Sequence, residues 1–165
     1  MPMANKADKL PKTNALRLLD RAKVPYQTHT YDTSELDAVH AAKDIGVPCA
    51  RLFKTLVTAS PDGRHFVFML PADATLDTKR AARAAGVKDI AMIPQKELLP
   101  LTGYIHGGCS PLGMKKALPT FVDESAAGFD TILFSAGHIG CMAELSPADL
   151  LRLTRASYAP LVQEK

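Results

Sequence analysis

Tryptophan is absent, and the aromatic residues are few, 4 Tyr and 6 Phe in 165 residues. So sparse a set excludes a platform that stacks several bases in a row. Cysteine is scarce as well: Cys49, Cys109 and Cys141 are odd in number, far apart and form no CxxC pair. That excludes a disulfide framework and a cysteine zinc site, and it fits a reducing cytoplasm. The five histidines show no H-x-x-x-H spacing, so no metal ligand set is expected. No apolar run reaches the length of a membrane span, and the first residues lack the apolar core of a signal peptide. Internal repeats, low-complexity tracts and interdomain linkers are missing too. Charge of one sign is nearly balanced, with a net +3 and a pI of about 8.8. This permits a polyanionic partner without requiring one.

What is present suits one globular domain. The hydrophobic fraction is 47%, enough for a core without a staple; at this length roughly 70% of the unfolded surface can be buried. Residues 1–12 are polar and lysine-rich and read as a flexible tail; residues 13–165 read as the domain. Thr13 or Asn14 caps a helix through about Lys23, which Pro25 stops. Tyr26–Tyr31 reads as a strand. Ala38–Ile45 is a helix closed by Gly46. Leu52–Ala59 and His65–Leu70 form a hairpin across Ser60-Pro61-Asp62-Gly63. Thr78–Ala85 is a helix closed by Gly86, Ile90–Ile93 a strand and Pro94–Leu99 a helical turn. Strands are expected at Thr120–Asp123, Thr131–Ser135 and Cys141–Leu145. Ser146 then caps a helix, with Pro147 at its first position and Asp149 at the capping-box position. The pattern is mixed α/β without regular βα alternation, which argues against a doubly wound nucleotide fold.

The densest signal is the stretch Gly107-Gly108-Cys109-Ser110-Pro111-Leu112-Gly113-Met114-Lys115-Lys116. Three glycines let the backbone turn tightly and approach a ligand, and such a loop offers N–H groups to an anion or a developing oxyanion. Gly108 and Gly113 have the gap of a P-loop, but Met114 stands where its lysine belongs and Pro111 interrupts it. Cys109 and Ser110 invite assignment as nucleophiles. That role needs a base within hydrogen-bond reach; His106 is close in sequence, but no signature fixes its geometry. Small residues that fit the turn explain both better.

Lys54 is the second signal. It sits in the apolar run Leu52-Phe53-Lys54-Thr55-Leu56-Val57, where both faces of a strand are mostly apolar. A shielded ammonium is costly unless it finds an anion. Lys54 therefore either snorkels from the strand end or points into a pocket. Lys79, Arg80 and Arg83 share one helix and, with Lys115 and Lys116, form a possible phosphate-binding set; alone, such a face is usually just solvated.

Taken together these pieces resemble the YbaK-type trans-editing aminoacyl-tRNA deacylases, which are related to the editing insertion of bacterial prolyl-tRNA synthetase. The matching stretches are Tyr26-Gln27-Thr28-His29-Thr30-Tyr31, Phe53-Lys54-Thr55-Leu56, Thr102-Gly103-Tyr104, Gly107 through Gly113 with Lys115-Lys116, Leu118-Pro119-Thr120 and Ser135-Ala136-Gly137. They occur in the family's order over about residues 14–158. The resemblance implies a mixed α/β domain with a curved, largely antiparallel sheet and flanking helices. It implies release of a mischarged amino acid from tRNA, Cys from Cys-tRNA(Pro) in this subfamily, without a cofactor or metal. The partners it implies are the aminoacylated 3′ end of tRNA and prolyl-tRNA synthetase. By position, Lys54 would hold the terminal adenosine or its phosphate. Gly107, Gly108, Cys109 and Ser110, in the loop that ends at Pro111, would supply backbone amides to the ester carbonyl. Tyr31, Thr55 and Ser135 would line the pocket. Cys109 is expected to be a bystander as a nucleophile. One stretch departs from the family: after Ser135 the family often reads Gly-Gly-Lys-Arg-Gly and then an acidic residue, where this chain has Ala136-Gly137-His138-Ile139-Gly140 and Met142. That departure bears on which amino acid is removed. A non-catalytic tRNA- or synthetase-binding module and a small-molecule ester hydrolase on the same fold are the rival readings.

Overall fold

The computed structural model describes residues 12–35 and 37–164. The expected tail, residues 1–12, thus lies outside the described residues except for Lys12, whose ammonium pairs with Asp20 at 2.7 Å.

Helix α1 (Asn14–Ala22) starts where the Thr13 hydroxyl accepts the Leu16 N–H at 3.1 Å. It ends one residue before Lys23, which takes a left-handed conformation, so the stop precedes Pro25. Strand β1 (Gln27–Thr30) follows, then α2 (Ala38–Ile45), capped by the Asp37 side chain and closed by left-handed Gly46. The hairpin strands are β2 (Phe53–Ala59) and β3 (His65–Pro71). Helix α3 (Thr78–Ala85) and the two-residue strand β4 (Ala91–Met92) come next. Helix α4 (Leu98–Thr102) continues the expected turn at Pro94–Leu99 past Pro100. Pro100 is tolerated because it sits in the first turn, where its missing N–H would have had no helical partner.

Strand β5 (Thr120–Asp123) precedes β6 (Ile132–His138) and β7 (Cys141–Leu145). Helix α5 (Pro147–Thr154) is capped by Ser146, whose hydroxyl accepts the Asp149 N–H at 3.1 Å. The Asp149 carboxylate turns to Arg152 at 3.0 Å. A short strand, β8 (Ser157–Ala159), was not expected from sequence.

The strands form two sheets. One is antiparallel in the order β1-β7-β6; the other runs β4-β2-β3-β5-β8. The β2 strand pairs antiparallel with β3 and β4, while β5 pairs parallel with β3 and β8. An isolated parallel bridge between Leu52 and Leu133 joins the sheets. The main core lies where α1 packs its buried face, Ala15, Leu16 and Leu19, against Phe53, Val67, Met69 and Phe134. Fully burying each such Leu or Phe contributes about 1.5–3 kcal/mol. Helix α3 covers the opposite face of the larger sheet, over Phe66, Phe68 and Leu70. Helix α2 covers the junction at Leu52 and Leu133.

Two features of the fold shape the site. The β4 strand pairs with β2 only at Thr58 and Ala59, so among the described residues no strand pairs with the earlier part of β2 on that edge. And β6 is bulged between Ser135 and His138, with Gly137 at φ +92°. The Ser135 hydroxyl accepts the Gly137 N–H at 3.1 Å, and Thr13 donates to the Ala136 carbonyl, so the cap of α1 also holds the bulge.

Candidate active site

Past the Leu52–Leu133 bridge a cavity of about 480 Å³ opens between the two sheets. Its wall along β2 comes from both faces of the strand, Lys54 and Leu56 on one and Phe53, Thr55 and Val57 on the other. A strand can present both faces to one cavity only across an open edge. The Val57 carbonyl accepts the Ile93 N–H at 3.3 Å. Backbone groups alternate between edges, so those of Thr55 point to the same open side.

Lys54 lies opposite Leu70 in the hairpin. Its ammonium donates to the Ala74 carbonyl, and the Asp73 charge lies near. Burial pushes the Lys54 pKa down and Asp73 partly offsets the shift. The sequence thus located a shielded lysine that does reach a cavity. Thr55, its neighbour, has a buried hydroxyl oxygen with no hydrogen-bond partner among the described residues. Such a group costs stability unless a ligand or water satisfies it.

The glycine loop closes the far side. The Gly108 N–H donates to the Ile105 carbonyl at 3.0 Å, and Gly107 has φ +87°. This is a type II turn over residues 105–108, with His106 at its first corner and glycine at the corner that needs positive φ. His106, Gly107 and Cys109 face the cavity, as do Tyr31, Thr55 and Ser135. Gly108, Ser110 and Pro111 are buried behind them. A Cβ on Gly108 would lie 3.1 Å from the Ile139 nitrogen, so the loop packs directly on the β6–β7 turn. The Ser110 hydroxyl accepts the Leu112 N–H at 3.2 Å.

Two amides on this wall, those of Gly107 and Cys109, donate to no acceptor among the described residues. The Gly108 amide is spent on the turn. Cys109 is only 8% exposed, and burial pushes its thiol up to about 12. A thiol so held is not a nucleophile near neutral pH.

Sequence reasoning missed several walls: Asp37, Ala38 and Val39 at the start of α2, and Met92, Ile93, Gln95 and Leu98. No local pattern marks these, since tertiary folding brings them in. Also missed was the cluster around Glu144, which accepts from His29 at 2.6 Å and from Thr131 at 2.6 Å and pairs with Arg51. Thr131, His29 and Arg51 hold its carboxyl below the usual carboxylate range. Lys79 and Arg83 lie on α3 and do not reach the cavity; Arg80 is bound to Glu164 at 2.7 Å.

The fold matches that of a crystal structure provisionally described as a trans-editing enzyme for prolyl tRNA synthetase. The TM-score is 0.80 at 24% identity, covering 94% of this chain and 100% of that one. The chain belongs to the aminoacyl-tRNA editing domain family, whose model matches residues 33–153. It is 40% identical over 156 residues to EbsC of Enterococcus faecalis, provisionally named a Cys-tRNA(Pro)/Cys-tRNA(Cys) deacylase; the match covers 93% of this chain and 95% of EbsC. A proline–tRNA ligase of Acidithiobacillus ferrooxidans is 28% identical over 87 residues, 53% of this chain and 15% of the ligase. Membership bears out the expected mixed α/β editing fold.

Among the described residues no helix is long and apolar enough to cross a membrane, and no cluster of His, Cys, Asp and Glu could hold a metal ion.

Proposed function

We propose that this protein is a trans-editing deacylase that removes a wrongly attached amino acid from tRNA, with Cys on tRNA(Pro) as its first substrate. The observation that carries the reading is the meeting of Lys54 and the 105–109 turn across one cavity, from separate elements. An aminoacyl ester beside a 3′-terminal adenosine offers a carbonyl and an anionic neighbour. The Gly107 and Cys109 amides suit the first and the Lys54 ammonium the second. One amide aimed at a developing oxyanion is worth about 3–4 kcal/mol of barrier. An aminoacyl ester is already activated, so the proposal needs no protein nucleophile or metal. With cysteine attached, the substrate's own thiol attacks its carbonyl: the carbon–sulfur bond forms, the carbon–oxygen ester bond breaks with its pair on the ribose oxygen, that oxygen takes the thiol's proton, and the amino acid departs as a cyclic thiolactone. Tyr31, Thr55 and Ser135 line the space for the aminoacyl group.

The similarity to EbsC supports the cysteine assignment, and the similarity to part of a proline–tRNA ligase supports tRNA(Pro) and its synthetase as partners. Residues 13–165 act as one domain in this reading, in the cytoplasm where tRNA is charged. The test is deacylation of Cys-, Ala- and Pro-charged tRNA(Pro) by the wild type and Lys54→Ala. The wild type releases Cys fastest, and the variant is folded and inactive. Full activity in Lys54→Ala defeats the site assignment.

A further inference from the structure

The cavity has an open end and an enclosed end. Val39 and Met92 on its lining are 43% and 54% exposed, and they mark the mouth. Tyr31, Leu52, Ala72 and Met142 line it too, but they are buried and pack on one another in a single cluster. A polynucleotide stays on the exposed side. The part of an aminoacyl-tRNA small enough to reach the enclosed end is the side chain of the attached amino acid.

The sheet fixes which way Met142 points. Along β7, Cys141, Ala143 and Leu145 pack into the main core with α1. Alternate residues of a strand face opposite sides, so Met142 takes the other side. There it meets Tyr31, Leu52, Ala72 and Leu133. Its partner across the β6–β7 ladder is Ser135, which shares its face and the cavity. On the other flank its partner in β1 is His29, whose ring is tied to Glu144 at 2.6 Å and takes no part in the wall.

The enclosed end carries no charge. The charged residues on the lining, Lys54 and Asp37, are bound to the Ala74 carbonyl and to the first turn of α2. A charged side chain sent to this end would be buried without a partner. Of Tyr31, Leu52, Ala72 and Met142, the methionine alone is long and unbranched, the type that fills whatever space its neighbours leave. It therefore decides how much room remains.

We infer that Met142 is the specificity-determining residue of the enclosed end: its side chain leaves space for an uncharged group of cysteine's size and excludes one that is branched at the β-carbon. The inference rests on the deacylase reading and deepens it to a substrate class, small uncharged side chains.

The experiment is single-turnover deacylation of tRNA(Pro) charged with cysteine or with penicillamine, which is cysteine with two methyl groups on its β-carbon. Both esters carry the attacking thiol. Each rate is divided by the spontaneous rate of the same ester, which removes the methyl groups' own effect on ring closure. The wild type is expected to favour cysteine about 100-fold, within the roughly 10–200-fold that a misfitting carbon is worth in an apolar pocket. Met142→Ala is expected to cut that preference about tenfold or more by raising the penicillamine rate. Met142→Leu, of similar volume, keeps the wild-type preference. Met142→Val removes less of the wall and suits a strand, so it carries the same test where Met142→Ala does not fold. A wild type that treats the two esters alike overturns the inference. So does a Met142→Leu that relaxes the preference as far as Met142→Ala. A folded Met142→Ala or Met142→Val that slows both esters equally also overturns it, since an unchanged preference marks a packing role. A wild type that deacylates none of the Cys-, Ala- and Pro-charged tRNAs defeats the deacylase reading, and this inference with it.

Discussion

The Tyr104 hydroxyl donates to the Leu112 carbonyl at 2.6 Å, tying together the two ends of the loop that carries His106, Gly107 and Cys109. Both residues are buried, and burial pushes the phenol up to about 12, so it remains a donor throughout the working range. Tyr104→Phe leaves the Leu112 carbonyl buried without this partner and is expected to cost about 1–3 kcal/mol. A fall in the urea midpoint at unchanged slope checks the cost. Because the loop also places the free amides, kcat for deacylation falls with it.

Lys54 gives a pH signature. Burial lowers its pKa below 10.5, so in the window beneath 10.5 the unfolded chain binds a proton that the folded one has released. Stability attributable to Lys54 therefore rises with pH through that window. Lys54→Met should flatten this slope in urea titrations, and a slope unchanged by the substitution would mean the ammonium is not desolvated.

Cys109→Ala is expected to keep deacylation within a few-fold of wild type. Burial also makes Cys109 and Cys141 resistant to alkylation, with thiols pushed up to about 12 and about 11. Cys49 is the partly exposed one. Iodoacetamide followed by mass spectrometry should label Cys49 in the native protein and all three cysteines in denaturant. Rapid native labelling of Cys109 would contradict its placement.

Glu144 links acid and stability. Its carboxyl is held below the ordinary 4.5, first by Thr131 and then by His29 and Arg51. The stabilisation is complete above 4.5 and disappears as pH falls through the lower folded value. Glu144→Gln should therefore lower stability at pH 7 and narrow the difference between pH 7 and pH 3.5, read by urea midpoints. An equal loss at both pH values would point to packing instead of charge.

At Gly113 the fold leaves no room. The residue has φ +71°, and a Cβ there would sit 2.7 Å from the Asn14 carbonyl carbon, a backbone atom at the start of α1. Gly113→Ala is expected to destabilise by more than about 1 kcal/mol, since strain and clash act together. Thermal melting of the variant beside Gly63→Ala, which has positive φ but open space, separates the two contributions.

The local elements were largely legible. Helices α2 and α3 stand where the sequence puts them because their closing glycines, Gly46 and Gly86, are local signals. Strand β8 was not, since its pairing with β5 is parallel and distant and two of its three residues are exposed. Lys54 and the glycine loop were each visible in sequence, but their shared cavity depends on the Leu52–Leu133 bridge and the open edge of β2.

The burial of Cys109 carries a consequence for redox chemistry. Thiol–disulfide exchange starts from a thiolate. With burial pushing its thiol up to about 12, Cys109 keeps its proton at pH 7. A wall of the cavity can thus contain sulfur and still receive a sulfur-bearing guest without forming a mixed disulfide with it.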